Sequence, residues 1–372
     1  MAGDTRQFPE KVLIYEHFSA GGMDRGKDSE SLAAEGLCMA GALFSHFMKS
    51  EMTVPCLLLR KELLHAIPDD QRKYILPAFP GKAEELLFEE CHGGMTVVLI
   101  APETGGLSTR LAKDVQKAGG SLLGSDPETI SLASNKAWLL RRLVDGGVPC
   151  VPSTVVSCTE DAREAADKAG YPVVTKPLRG TGGEGSALLK SEKELEKYFR
   201  SVEGNHAGQL VLQPFVEGFP ASLSILAGRG GALRLVSVNR QDIVQEAIEG
   251  NPPLDGFRYA GGMTGLSEKN DPRIRVTGMR GLERLAEKTV GILGGLLGYA
   301  GIDLIMTENG PLVLEVNPRM TTPLAVLARH VGWNMADVLV DACVSGKIPE
   351  KLAVPVTAFV KENMTWPTPP KK

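Results

Sequence analysis

The chain has no excess of either charge: 41 Lys and Arg stand against 45 Asp and Glu, a formal net charge of −4 over 372 residues. That excludes the broad electropositive footprint needed for nucleic acid or an anionic membrane surface. Aromatic residues make up only 5%, too few for a platform on which bases stack. The six cysteines (Cys38, Cys56, Cys91, Cys150, Cys158, Cys343) contain no CxxC pair. This argues against a disulfide framework or a zinc site, and for free thiols in a reducing compartment. The six histidines are scattered, with no HxH or HxxxH spacing. MAGDTRQFPE at the start lacks a cationic stretch followed by an apolar core, so no secretory leader is expected. The longest uncharged run, Thr289 to Ile302, is too short for a bilayer and holds five glycines. A cytoplasmic protein without nucleic-acid or membrane partners is the expectation.

What is present is alternation. KVLIY (Lys11 to Tyr15), MTVPCLLLR and MTVVLIAPE read as strands, separated by a helix carrying apolar residues from Leu32 through Phe47 and by AEELLFEECHG. Such a pattern predicts a parallel α/β unit, with a boundary near Ser125. Asp126-Pro127-Glu128 opens a short helix, and Ser134 is expected to cap a second that ends at Gly146-Gly147. From Pro149 to about residue 213 a compact α+β module follows: PSTVVS, EDAREAADKAG, YPVVTKP, the loop LRGTGGEG, SALLK, SEKELEKYFRSV and LVLQPF. Beyond it the sequence predicts strands to about Val238, a polar stretch from Asn239 to Asp271 and a helix from Arg280 to Tyr299. A hairpin, GIDLIM…PLVLEVNP, and a helix from Pro323 to Val344 complete the expectation.

The chemistry concentrates in PLVLEVNPRMTTP. Glu315, Asn317 and Arg319 occupy alternate positions at the end of an apolar strand, and alternate side chains share a face. A three-residue loop, Glu308-Asn309-Gly310, would set Asp303 opposite Glu315, with Gly310 supplying a left-handed third residue. Two carboxylates ~5 Å apart repel by about 3 kcal/mol at an effective dielectric near 20. Arg319 could offset that as a buried ion-pair network. Alternatively Asn317 adds a neutral oxygen, and the set suits a hard Mg²⁺ ion. Lys176, in an apolar strand on the face of Val174, calls for an anion, and so does Lys136 in the first turn of its helix. RGTGGEGS contains a formal GxGxxG at Gly180, Gly182 and Gly185, but a strand follows it, not the helix a dinucleotide fingerprint requires. A glycine hairpin facing Lys176 offers instead a backbone cradle for phosphates. In LQPFVEG the Pro214 carbonyl and the Val216 N–H are spaced to meet an adenine.

In order, SNKAWLLRRL, YPVVTKP, GTGGEGS, LQPFVEGFPASLSIL, GIDLIM and LEVNPR resemble the ATP-grasp superfamily, over about Ser125 to Val344. The resemblance implies an ATP-grasp fold, 126–372, behind a pre-ATP-grasp α/β domain, 1–125, with the central module as a mobile lid. It implies ATP with Mg²⁺ (or Mn²⁺) as cofactors: Lys136 and Lys176 on phosphates, Gly182 and Gly183 closing over them, and Gln213, Pro214 and Val216 around adenine. Asp303, Glu315 and Asn317 would hold the metal, and Arg319 would stabilise transferred phosphoryl charge. Gln213 departs from the acid usual there, and Pro220 stands near a common ribose-binding acid, for which Glu217 could substitute. LIYEHFSAGG, LIAPETGGL, SVNRQDI and FRYAGG are similar to the tyramine–glutamate ligase group of methanofuran biosynthesis. The implied activity is carboxylate–amine ligation through an acyl phosphate. Arg240 would grip the carboxylate, Glu103 or Glu16 would meet the amine, and the enzyme would act as a homodimer on small molecules. Another ATP-grasp ligase, a carboxylase or a non-catalytic ATP-binding regulator would share most of these residues.

Overall fold

The computed structural model describes residues 10–22, 29–180, 182–183, 185–203, 209–248 and 254–366. Five parallel strands open the chain: β1 (Lys11–Glu16), β2 (Val54–Arg60), β3 (Ile75–Ala78), β4 (Thr96–Ile100) and β5 (Ser121–Leu122), in the order β3-β2-β1-β4-β5. Val12 to Tyr15 are wholly buried, as a continuous apolar run must be when helices cover both faces of a parallel sheet. The helices are α1 (His17–Ala20), α2 (Ser29–Phe47), α3 (Ala83–Cys91) and α4 (Leu107–Lys117). The chain winds from β1 outward to β3, then returns to the other side of β1 with β4. The carboxyl ends of β1 and β4 therefore flank a topological switch point, where such sheets open a ligand crevice.

Two helices follow, α5 (Pro127–Ala133) and α6 (Lys136–Asp145). The cap of α6 is Asn135, whose Oδ1 accepts from the Trp138 N–H at 3.1 Å, and not Ser134. Ser134 still has helical dihedrals (φ −74, ψ −14), whereas Asn135 is extended (φ −93, ψ 97), and an N-cap needs the extended form.

The central module contains β6 (Thr154–Val156), α7 (Thr159–Ala169), β7 (Val173–Pro177), β8 (Ala187–Leu189), α8 (Glu192–Glu203) and β9 (Leu210–Pro214). The last part adds β10 (Phe219–Ala227), β11 (Leu233–Ile248), β12 (Leu254–Leu266), α9 (Met279–Leu293), β13 (Gly298–Thr307) and β14 (Gly310–Asn317). It closes with α10 (Thr322–Ala328), α11 (Met335–Ser345) and β15 (Thr357–Val360). One sheet runs β14-β13-β10-β11-β12-β8-β7-β9-β6, with β15 on β12. A single pairing, Asp255 with Leu188, joins the central module to β12.

Three expectations change here. The polar stretch from Asn239 forms the arms of a long hairpin, because β10, β8 and β15 supply pairing partners that no local pattern announces. The helix expected to reach Tyr299 stops at Leu293, where Gly294 takes a left-handed cap (φ 69). The helix expected from Pro323 to Val344 is two helices, with Asn334 capping the second.

The sheet has one apolar and one polar face. Ala221, Leu223, Ile225, Ile302, Leu304 and Val316 pack with Leu139, Leu143, Leu282 and Leu285 from α6 and α9. On the other face the fully buried Asn239 donates to the Ser222 hydroxyl (3.1 Å) and the Ser224 hydroxyl (3.0 Å). That face also carries Asp303, paired with Ser222 across strands.

Candidate functional site

Asp303 does lie opposite Glu315, but by a different route from the one the loop length suggested. Thr307 pairs with Gly310, so the turn is the two-residue Glu308-Asn309. Continued without interruption, that register would put Leu314 opposite Asp303 and turn Glu315 to the apolar face. A β-bulge between Leu304 and Asp303 absorbs one residue of β14, and Asp303 pairs with Glu315. Bulges of this kind re-aim side chains beside active sites.

Around this pair the groups converge from four elements. Asn317 Nδ2 donates to Asp303 Oδ2 at 2.9 Å, and Gln241 Nε2 from β11 donates to Oδ1 at 3.0 Å. Lys136 Nζ stands 3.0 Å from Glu315 Oε2 and donates to the Gly180 carbonyl at 2.8 Å. Burial, and after it the charge on Glu315, pushes the Asp303 carboxyl up to about 7. Burial also acts to raise Glu315, but Lys136 and Lys176 more than offset it and hold that carboxyl below the usual range. Burial lowers the Lys176 ammonium, with Glu315 opposing. The cations facing the two carboxylates are thus the lysines, whereas Arg319 is turned to Glu103. Among the described residues no three His, Cys, Asp or Glu side chains group to hold a metal. A divalent cation here would draw on two facing carboxylates and an amide oxygen, a donor set that suits a hard ion.

Lys176 and Gln213 share a face of the central module, through the pairs Lys176–Val211 and Val174–Gln213. Gln213 is buried and donates to the Ser153 hydroxyl at 2.8 Å. The Phe215 N–H bonds the Pro172 carbonyl at 2.9 Å; the Pro214 carbonyl belongs to the same trans peptide unit and is anti to that N–H, so it points away from β7. Val216 is half-buried and Glu217 exposed, in the link to β10.

In the glycine-rich loop Gly182 and Gly183 have φ 63 and 85. A Cβ on Gly183 would lie 2.8 Å from the Phe257 carbonyl oxygen, whereas one on Gly182 would meet nothing within 4 Å. Gly183→Ala is therefore expected to raise KM for ATP about tenfold, the equivalent of ~1.4 kcal/mol. Gly182→Ala should have the smaller effect. Initial rates over an ATP titration check the contrast, and equal effects would show that the Phe257 contact is unimportant.

Arg319 lies past the end of β14, after Pro318. Its Nε and Nη2 donate to Glu103 Oε1 and Oε2, both at 3.0 Å. Glu103 follows β4, so this buried bidentate pair ties the N-terminal unit to the strand that carries Glu315 and Asn317. Glu16 ends β1 and caps α1, accepting from Ser19 N at 2.7 Å and Phe18 N at 3.2 Å. Burial pushes its carboxyl up to about 7, against those N–H bonds and the charge on Arg319. Arg240 is not brought to the site. It pairs with Ala221, on the face that packs α9, and binds Asp242 at 2.9 Å. Its neighbour Gln241 has the place on the polar face. The alternation Asn239, Gln241 within one strand is the available signal, hidden because the whole segment from Asn239 to Asp271 is polar.

A model of the ATP-grasp domain matches residues 133–323, just over half of the chain. The carbamoyl phosphate synthase large chain of Rubrobacter xylanophilus is 26% identical over 231 residues, 61% of this chain and 20% of that protein. The chain thus spans about a fifth of the length of that relative. An ATP-grasp superfamily protein from Archaeoglobus fulgidus has the same fold, with a TM-score of 0.63 at 23% identity, covering 94% of this chain and 98% of that one. So does the biotin carboxylase domain of Hydrogenobacter thermophilus 2-oxoglutarate carboxylase, a dimer in complex with MgADP, ADP and bicarbonate. Its TM-score is 0.65 at 18% identity, covering 93% of this chain and 72% of that one. By the domain match and by this shared architecture, the chain belongs to the ATP-grasp family.

Proposed function

We propose that the protein is an ATP-dependent ligase that joins a carboxylate to an amine through an acyl phosphate. The observation that carries this reading is the convergence of Asp303, Glu315, Asn317, Lys136 and Lys176 next to the start of a glycine-rich loop. The substrate carboxylate attacks the γ-phosphorus, the bond to the β-phosphate oxygen breaks, and ADP leaves. The amine nitrogen then attacks the acyl carbon, and its C–O bond breaks to release phosphate. Lys136 and Lys176 offset charge on the transferred group, while Arg319, oriented by Glu103, grips the carboxylate. Mg²⁺, or Mn²⁺ in its place, would be held by Asp303, Glu315 and Asn317 and would neutralise phosphate charge when bound. Gln213, the Pro214 carbonyl and the Val216 N–H receive adenine, and Glu217 receives the ribose. Closure of the central module over Gly182 and Gly183 excludes water that would hydrolyse the acyl phosphate.

The finer reading is ligation of the glutamate γ-carboxylate to tyramine or tyrosine, by a homodimer. It rests on the short motifs around Glu16, Glu103 and Tyr259. Bicarbonate in the Hydrogenobacter complex favours a second reading, in which the acid is bicarbonate and the product a carboxylated amine. Among the described residues no helix is long and apolar enough to cross a membrane.

The test is ADP and phosphate release from Mg-ATP with glutamate, with bicarbonate and with neither, each with and without tyramine, tyrosine and other amines. ADP release that needs glutamate and an aromatic amine supports the finer reading. Dependence on bicarbonate would move the protein to the carboxylases. No release with any pair, despite ATP binding, would leave a nucleotide-binding regulator.

A further inference from the structure

We infer that Gln241 is a positioning residue of the metal site: its amide holds the Asp303 carboxylate in place for a divalent cation and so sets the affinity of the site. Gln241 Nε2 donates to Asp303 Oδ1 at 3.0 Å, and Asn317 Nδ2 donates to Oδ2 at 2.9 Å. Each carboxylate oxygen therefore has an amide donor. Of the two amides only that of Gln241 lies outside the donor set Asp303, Glu315 and Asn317. An amide carries its oxygen and its N–H groups on separate branches. With its oxygen given to a cation, Asn317 turns Nδ2 away from Asp303, and the bond from Gln241 is the amide contact that remains. Oδ1 stays with Gln241, and Oδ2 is the oxygen on the side of Asn317. Groups that orient a metal-binding carboxylate from outside the donor set change metal affinity by about 10–100-fold when removed.

The sheet is built to let this bond form. β11 and β13 are not neighbours, because β10 runs between them. Two strand spacings separate them, roughly 10 Å of sheet. Asn239 pairs with Ser222, and Ser222 pairs with Asp303, so the strand between presents only a short serine side chain on this face. Asp303 is itself short, and the bond needs the full length of a glutamine. Asparagine lacks one methylene of that reach. Two register shifts flank the residue, between Val238 and Arg240 and between Asp242 and Ile243, and bulges re-aim side chains beside functional sites. Opposite Gln241 stands Gly262, where a Cβ would lie 2.1 Å from the Arg240 carbonyl oxygen. No side chain fits there without displacing the backbone that carries Gln241. This inference rests on the proposed reading of Asp303, Glu315 and Asn317 as metal donors.

The experiment titrates ADP into the full chain by calorimetry, first with a chelator and then at rising Mg²⁺. It compares the parent with Gln241→Met, which keeps the length and loses the donor, and with Gln241→Asn, which keeps an amide and loses the reach. Mg²⁺ is expected to tighten ADP binding in the parent. In both variants the Mg²⁺ concentration that gives half of that tightening should rise about tenfold or more. Their affinity for ADP without metal should stay within about twofold of the parent, a split that a merely structural role would not produce. The Mg²⁺ requirement of ADP release should rise in parallel. If Gln241→Met does not fold, Gln241→Asn alone carries the comparison. Tightening in the variants at the same Mg²⁺ as in the parent would overturn the role of Gln241 and leave the metal site standing. An equal loss of metal-free ADP affinity, or a lowered thermal midpoint with an unchanged Mg²⁺ requirement, would assign the residue to the fold and overturn it too. No effect of Mg²⁺ on the parent would sink the metal reading itself, and the role of Gln241 with it.

Discussion

Replacing Glu315 with glutamine is expected to lower Mg-ATP turnover by about 10³, or ~4 kcal/mol of transition-state stabilisation. On the proposed reading Glu315 has two functions in one place. It is 3.0 Å from Lys136 and acts on Lys176, so it would hold both cations of the proposed phosphate site. It also faces Asp303, and the two carboxylates would form the anionic half of the proposed metal donor set. The amide keeps the shape and loses the charge, so the fold should survive. With the repulsion from Glu315 gone, Asp303 ionises more readily, and Lys176 loses the anion that opposes the effect of its burial. ADP release at rising Mg²⁺, with circular dichroism to confirm folding, measures the effect. Turnover within about threefold of the parent would reduce Glu315 to a partner for lysine and remove the phosphoryl-transfer site from this strand.

The second large effect is expected on stability. Glu103→Gln leaves the Arg319 guanidinium buried without that carboxylate, and removing one partner of a buried pair costs about 3–5 kcal/mol. The side chains of Arg319 and Glu103 are only 15% and 4% exposed, so solvent screens little of that. The melting temperature should fall by roughly 5 °C. Glu103→Leu combined with Arg319→Met should destabilise less than either of these changes alone, because the double variant leaves no charge behind. Differential scanning calorimetry of the singles and the double decides this. Additive losses would mean that the pair contributes as two independent residues. Because Arg319 also follows the strand of Asn317, both variants should reduce ADP release, the double included.

Much of the site was legible because it lies inside regular strands. Lys176 shares a face with Val174 as period-two alternation requires, and Glu315 and Asn317 do so on β14; Gln213 reaches the face of Lys176 only through its pairing with Val174. The facing of Asp303 and Glu315 was also legible, though the chain reaches it by a tight turn and a bulge. Bulges leave no mark in a single sequence, since one extra apolar residue, Leu314, looks like the rest of the strand. Arg319 shows where the rule ends. Alternation holds only while the strand continues, and Pro318 stops it, so the guanidinium turns to Glu103, 216 positions away in sequence. Arg240 differs for the opposite reason: a residue in a stretch read only as polar lies in a strand, and its face follows from pairing with Ala221.

The sequence by itself determined the elements whose cause is local: the apolar parallel strands, the glycine hairpin with its positive φ, and the two-carboxylate strand end. Only the tertiary structure decided what meets across long separations. It paired the polar β11 and β12 into a sheet and brought Gln241 to Asp303. It also joined Glu103 to Arg319. The physical reason is that dihedral preference and periodicity act over a few residues, whereas pairing and burial depend on partners that arrive only when the chain has folded.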